Sequence, residues 1–580
     1  MQIPELTMKE TSLILLLFLM FQNIFSQQPV IPARFASPLD IPLVLSGNFG
    51  ELRSDHFHSG VDFKTQGVTG KNVYSVADGY VSRIKIQTLG YGNSIYITHP
   101  DGLTSVYGHL ESFTDSITNY VRAYQYQKKT HTLDIYPDKE LFKVAKGEKI
   151  AFSGNTGSSG GPHLHFELRG TASQHPLNAL KYGFNVRDKL PPQLYHLFVY
   201  PIGETSHGKY AEPKVIALKK ENGEYRIGPS DTLILKGRIG FGLEANDFLD
   251  DANNQCGVFT IELLINELPY YMFRIDEFSF AESSYINAHT DYRAKTEKNK
   301  KIHLLYRKSN NRLSLYPHLK DNGLFTFPSG ETSKVEVRVS DTYGNSSELI
   351  FYVRGSAPVL MSQKADSLSN PIFKWNTPNY YENGQIRLMI PANSLYEDYQ
   401  FNYARTDIGY QKVYPFTHYL GDSFTPLHKP ADVSFSGEMI PLHLRSKTFV
   451  AAVNGANDIN CLSSTWSGNR ISARIKKLGK YTIVIDSVAP AITPLNIRQG
   501  SNMTHESSIR FAVTDELSGV SEYQGYIDDE WVLFEYDPKD DLIRHSFDAT
   551  RTISGIDHDL KLIVRDTAGN QKTYQTRFQW

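Results

Sequence analysis

From Asn48 to Leu168, short apolar-periodic runs alternate with Gly-rich turns. Asn72–Ala77, Tyr80–Ile86 and Ser94–Thr98 each read as strands, apolar on one face and polar on the other. Asp-Gly tolerates the positive φ of tight turns, so Ala77-Asp78-Gly79 and Pro100-Asp101-Gly102 predict hairpin-type connections and an antiparallel β domain. Between Glu111 and Phe142 the period changes. Ile117, Val121 and Tyr124 recur at helical spacing ahead of a polar segment with Lys128, Lys129 and His131. Two readings stand there, a lid over a site or a packed insertion, and an apolar helical stripe favours packing.

Beyond Leu190-Pro191-Pro192 the chain stays strand-rich but loses its His-rich motifs. A weak internal repeat relates 337–345 to 562–570: an alternating strand runs into an Asp341-Thr342-Tyr343-Gly344-Asn345 or Asp566-Thr567-Ala568-Gly569-Asn570 turn and out into another strand. This is the pattern of the last hairpin of a β-sandwich. Two isolated acidic residues supply few of the six to eight oxygens that calcium takes, so the segments read as turns rather than cation sites. Ser356-Ala357-Pro358 and Val488-Ala489-Pro490 read as linkers. The expected fold class is mainly β: an N-terminal antiparallel domain over 27–195, a β-sandwich over 196–355, a β-rich domain over 356–485 and an immunoglobulin-like sandwich over 486–580.

A chain of 580 residues is too long for one core, and its 12% aromatic content, with 35 Tyr, suits folded strand-rich domains. Sixty basic residues nearly cancel 62 acidic ones, which argues against nucleic acid as a partner and against a whole-protein pull toward anionic membranes. Lys9 precedes an apolar run from Leu13 to Phe25, with Ser26-Gln27-Gln28 after it. That run is shorter than the ~20 residues that span a bilayer, so residues 1–26 read as a cleaved signal peptide. The expectation is an exported product, periplasmic or at the cell envelope or outside the cell, with no transmembrane segment in the mature chain. Only Cys256 and Cys461 occur, so any metal must rest on His and carboxylate; whether the two cysteines pair stays open.

The chemistry concentrates in two segments. In Asp55-His56-Phe57-His58-Ser59-Gly60-Val61-Asp62-Phe63 the alternation puts His56, His58, Gly60 and Asp62 on one face and Phe57, Val61 and Phe63 on the other. Full extension would hold His58 and Asp62 ~13 Å apart at Cα, slightly beyond joint reach of one ion, so a bend is expected at Gly60. In Gly157-Ser158-Ser159-Gly160-Gly161-Pro162-His163-Leu164-His165-Phe166-Glu167-Leu168, His163, His165 and Glu167 share a face. The glycine run opens a strand with no Gly-Lys-Ser/Thr after it, which excludes a phosphate loop. A third histidine, His109, stands in Tyr107-Gly108-His109-Leu110, whereas His99, in a turn, reads as structural. Several histidines and an aspartate are donors that zinc prefers, and three protein ligands leave a position for water.

The ordered combination of these three motifs, over roughly residues 48–170, resembles the lysostaphin/LytM-type zinc endopeptidases that cut peptide bridges in peptidoglycan. The resemblance implies one zinc ion held by His58, Asp62 and His165, with His163 and His109 flanking the catalytic water. It implies amide hydrolysis in which His163 takes the water proton and His109 holds the tetrahedral oxyanion, roles that the two can exchange. Glu167 reads equally as a partner orienting a histidine ring or as a strand-end surface carboxylate. The family pattern makes His56 a bystander. The long stretch after His109 departs from the compact pattern and bears on which bridge is accepted. The implied function is a secreted metalloendopeptidase acting on peptidoglycan peptides, with the C-terminal domains contacting other envelope proteins. Two alternatives remain: a catalytically silent scaffold that activates a separate wall hydrolase, and an adhesive or assembly protein.

Overall fold

The computed structural model describes residues 35–203, 212–228, 230–357, 370–411, 413–455 and 458–580. The expected signal peptide, and Pro358 of the first expected linker, lie outside the described residues. The molecule is nearly all β, and its strands segregate into sheets that are local in sequence.

The first sheet contains β1 (Leu45–Gly47), β2 (Val61–Lys64), β3 (Asn72–Tyr74), β4 (Gly79–Ile86), β5 (Asn93–Thr98), β6 (Leu103–Phe113), β7 (Leu133–Ile135), β8 (Lys143–Val144), β9 (Lys149–Ser153), β10 (His163–Gly170) and β11 (Pro176–Leu177). Its main path runs β1-β2-β10-β6-β5-β4-β7, so the two motif strands β2 and β10 are neighbours and β6, which carries His109, lies on the other side of β10. Alternation explains the packing. Leu164, Phe166 and Leu168 of β10 and Val61 and Phe63 of β2 are fully buried on the face away from the histidines.

The Pro100-Asp101-Gly102 turn joins β5 to β6 as a hairpin with Thr98 opposite Thr104, and Gly102 takes a φ of 80°. Ala77-Asp78-Gly79 does not make a hairpin. It leads from β3 into β4, but β3 pairs with β9 while β4 pairs with β5, β7 and β8. An Asp-Gly turn reverses the chain without deciding which strand is bonded next.

The segment after β6 is packed. Helix α1 (Asp115–Lys128) buries Ile117, Val121 and Gln125 against the domain, and β7 joins the sheet edge beside β4. Its outer side meets the far end of the chain: the Tyr126 ring lies 5.2 Å from Trp531 and under the Arg551 guanidinium at 3.8 Å, and His131 bonds the Tyr523 hydroxyl.

Downstream, strands between Gln193 and Ser356 form a five-stranded and an eight-stranded sheet, and the first-domain core runs without interruption into theirs. Strands between Ile372 and Ile485 form two five-stranded sheets and a two-stranded one around a separate core. Strands between Ala491 and Gln579 form a four- and a five-stranded sheet around another. The two repeat segments are both final hairpins: Thr332–Ser340 pairs with Ser346–Ser356, and Asp557–Asp566 with Gln571–Gln579. Cys256 and Cys461 are free thiols. Among the described residues no helix is long and apolar enough to cross a membrane.

Candidate metal centre

Strand pairing assembles the centre. His165 of β10 stands directly opposite Asp62 of β2 and opposite Gly108 of β6, so the three motifs meet at one register position. Opposite residues of an antiparallel pair share a face, which puts the Asp62 and His165 side chains together. His58 is not on the strand. β2 starts at Val61, and the chain bends at Gly60, bringing His58 over the same face. A Cβ at Gly60 would stand 2.3 Å from the Phe166 carbonyl, so only glycine lets the loop lie this close to β10.

His58 Nε2, His165 Nδ1 and Asp62 Oδ1 form a triangle with sides of 3.1, 2.9 and 3.0 Å. All three residues are buried. His58 Nδ1 is bonded to the Asn48 carbonyl at 2.7 Å. A carbonyl only accepts, so the proton of neutral His58 is on Nδ1 and bare Nε2 faces the triangle. His165 Nε2 is bonded to Glu167 Oε1 at 2.8 Å, and Arg169 at 2.5 Å from Oε2 helps to hold that carboxylate ionised. The His165 lone pair at Nδ1 therefore also faces inward. Three acceptor atoms converge with no proton of their own between them, an arrangement that needs a cation.

The donor set fits zinc. Two neutral imidazole nitrogens and one carboxylate oxygen are borderline ligands, and a tetrahedral ion with bonds of ~2.0–2.1 Å sets its ligands roughly 3.3 Å apart. With a proton in place of a metal, burial opposes charging His165, but the hydrogen bonds to Asp62 and Glu167 outweigh it and push the ring up to about 9. Burial likewise opposes the Asp62 charge, but in the metal-free centre attraction to a protonated His58 ring and hydrogen bonds from His163, His165 and His58 hold that carboxyl well below its usual range.

Two further histidines flank the triangle. His109 donates Nδ1–H to the Thr156 carbonyl at 2.8 Å, and His163 donates Nδ1–H to the Gly161 carbonyl at 2.8 Å. Both leave Nε2 unprotonated in the neutral ring, and His163 Nε2 lies 3.5 Å from Asp62 Oδ1. The two rings are 4.8 Å apart. Burial, and then the His165 and His163 rings, push His109 down to about 3, so it is neutral at pH 7. His109 also has a φ of 58° inside β6, next to register shifts against β5 and β9. Bulges next to sites re-aim side chains, and here one turns His109 toward the centre.

Of the other sequence candidates, Glu167 is the ring-orienting partner and is fully buried. His56 is exposed and bonds Asp55, and His99 engages the Asp78 carbonyl and the Ser105 hydroxyl. Sequence reading missed four residues. Tyr91 and Ser59 donate to Glu167 Oε1 at 2.6 Å each, Arg169 pairs with its other oxygen, and Arg53 donates to Asp62 Oδ2 at 2.9 Å. Arg169 continues the His163-His165-Glu167 alternation and was within reach of that signal. Tyr91, Ser59 and Arg53 approach from loops and carried none.

Against known proteins, the model of Peptidase family M23 matches residues 56–129. The N-terminal region is an M23 peptidase domain. A separate Zu5-like domain model matches residues 370–486. DD-carboxypeptidase/endopeptidase Mpg of Neisseria meningitidis serogroup B is 30% identical over 145 residues, 25% of this chain and 26% of that protein. Peptidoglycan DD-endopeptidase ShyB of Vibrio cholerae is 31% identical over 165 residues, 28% of this chain and 31% of the relative. The chain thus spans about a quarter to a third of the length of these curated relatives. Among solved structures, the catalytic domain of lysostaphin from Staphylococcus simulans is 22% identical, covering 23% of this chain and 87% of that one with a TM-score of 0.18. M23 relatives include metalloproteases and peptidoglycan endopeptidases, and this M23 domain carries a His/Asp/His group able to hold a metal.

Proposed function

We propose that this chain is an exported zinc endopeptidase that hydrolyses peptide cross-links of peptidoglycan, with His58, Asp62 and His165 as zinc ligands. The observation that carries the reading is the convergence of three unprotonated ligand atoms beside two histidines whose free Nε2 atoms border the same space. Bound zinc supplies Lewis acidity to the scissile carbonyl and makes water more acidic. His163 takes the water proton at Nε2 and returns it to the leaving amine, while its Nδ1–H stays fixed on Gly161. His109, kept neutral by burial with its Nδ1–H on the Thr156 carbonyl, presents a bare Nε2 to the same space, so it can take the water proton in place of His163, and whichever ring takes that proton carries the one Nε2–H that can face the oxyanion. Arg53 and the Glu167–Arg169 pair keep Asp62 and His165 oriented.

The test is mass spectrometry of purified peptidoglycan incubated with the mature chain, beside a chelated sample and a His163→Ala variant. New uncrosslinked peptides that vanish in both controls support zinc-dependent endopeptidase action and identify the bond. Unchanged peptidoglycan with zinc bound overturns it in favour of a silent scaffold that works through another hydrolase.

A further inference from the structure

The turn aspartates of the internal repeat are not isolated in space. Asp341 meets Asp188 and Asp247, with one oxygen of each carboxylate within 4.8 Å of the others. The three come from a connecting segment, a strand end and a final hairpin: Asp188 precedes strand Gln193–Ile202, Asp247 follows strand Arg238–Asn246, and Asp341 follows strand Thr332–Ser340. No Lys, Arg or His ion pair reaches any of them among the described residues. Asp247 is 2% exposed, yet its Oδ1 has no hydrogen-bond partner. A buried carboxylate oxygen left unpaired beside two like charges is relieved either by a proton, and burial with Asp341 and Asp188 pushes Asp247 up to about 9, or by a cation that completes the set.

The same construction recurs at the C-terminal end. Asp486, Asp515 and Asp566 meet within the same 4.8 Å, from a connector before strand Ala491–Pro494, the end of strand Ser508–Thr514 and a final hairpin. The hydrogen bonds around the first and third aspartates largely repeat, whereas Asp515 accepts from the Gly519 amide and Asp247 Oδ1 has no partner. Asn345 donates its side-chain amide to Asp341 Oδ2 at 2.7 Å and to the Asp188 carbonyl, and Asn570 donates to Asp566 Oδ2 at 2.7 Å and to the Asp486 carbonyl. Asp188 Oδ1 accepts from the amide two residues on, as Asp486 Oδ1 does. Chance clustering of acidic residues does not reproduce a ligand set, its order along the chain and its supporting asparagine twice.

We infer that Asp188, Asp247 and Asp341 form a site for calcium, which ties the connector after the peptidase domain to the strand end and final hairpin of the next domain. The donors are all hard oxygens, which excludes a zinc-type site, and loop-borne carboxylates leave the several further positions that calcium fills with carbonyls and water; magnesium demands a stricter octahedron. The Asp486 cluster is its counterpart before the last domain. This site is independent of the peptidase reading.

The experiment uses the zinc-loaded full chain. In thermal unfolding of protein freed of calcium on a chelating resin before zinc is loaded, added CaCl2 raises the transition by on the order of 5 °C, and equal MgCl2 does less. Asp247→Asn removes one charge and keeps the shape: without calcium it is as stable as the parent or more so, and the calcium shift falls by at least half. A second measurement does not depend on that variant folding. Tyr343 lies in the Asp341 turn, with its amide on Asp341 Oδ1. Terbium, a calcium substitute excited through nearby tyrosine, therefore emits on binding, CaCl2 competes it away, and Tyr343→Phe removes most of the emission without touching a ligand. No calcium shift in the parent, an undiminished shift in Asp247→Asn, or terbium emission indifferent to calcium or to Tyr343 would each overturn the assignment.

Discussion

The His58–Asp62–His165 centre and the Asp188–Asp247–Asp341 cluster each gather three ligand atoms within 4.8 Å, but by different means. In the first, two ligands sit opposite one another on paired strands, and the third is four residues from its neighbour across a glycine bend. Ladder hydrogen bonds therefore set most of that geometry. In the second, one ligand lies in a connector and two just past strand ends, and the site exists only when three separate connections are all in place. The difference is one of chemistry as well. The histidine centre holds each ring by its second nitrogen, which fixes tautomer and direction before a metal arrives, whereas the carboxylates lean on turn amides and one oxygen has no partner. On the readings proposed above, the first is preorganised for a borderline metal ion and the second for clamping a hard cation.

Substitutions that separate the two clusters sharpen this contrast. The largest effect belongs to Asp62→Ala: bound zinc, counted by elemental analysis, is expected to be lost, and peptidoglycan cleavage to fall by more than ~100-fold. The response to CaCl2 should survive, and its disappearance would break the independence of the clusters. Next comes Phe57→Ala. Phe57 is 1% exposed and its ring packs on Phe273 and Phe278 of the following domain. Truncation should cost ~3–5 kcal/mol in denaturant unfolding and loosen both regions together.

The third expectation concerns pH. In the metal-free chain His165 is raised to about 9 by Asp62 and Glu167 against burial. A raised pKa gives stability that is complete below the unfolded value near 6.5 and is lost as pH climbs through 9, an effect on the order of 3 kcal/mol. Unfolding of the metal-free protein should weaken over that window, and zinc should abolish the slope. The smallest effect is assigned to Asn48→Ala. The Asn48 side chain exchanges two 2.7 Å hydrogen bonds with Gly257 of the next domain, while its carbonyl holds His58. Losing that anchor should weaken zinc binding ~10-fold in a competition titration and leave the fold intact.

Much of the histidine centre was legible in the chain because alternation on a strand is a local rule. The period of two in Leu164-His165-Phe166-Glu167 already assigns ring and carboxylate to one face, and Gly60 already marks the bend that the His58–Asp62 spacing makes necessary. The partners of that face were not legible. Tyr91 and Arg53 reach it from irregular segments, and the helix after His109 packs outward onto Trp531, some 400 residues later in sequence, as no periodicity could indicate.

The amino-acid order by itself therefore determined the mainly β character, the three motifs and the shared face of His163, His165 and Glu167, since these follow from side-chain period and turn chemistry. Tertiary structure decided which strands become neighbours, which domain supports Phe57 and Asn48, and that each repeat aspartate meets two others. Those outcomes depend on long-range pairing and on how separate connections are brought together, and neither leaves a mark in a local window of sequence.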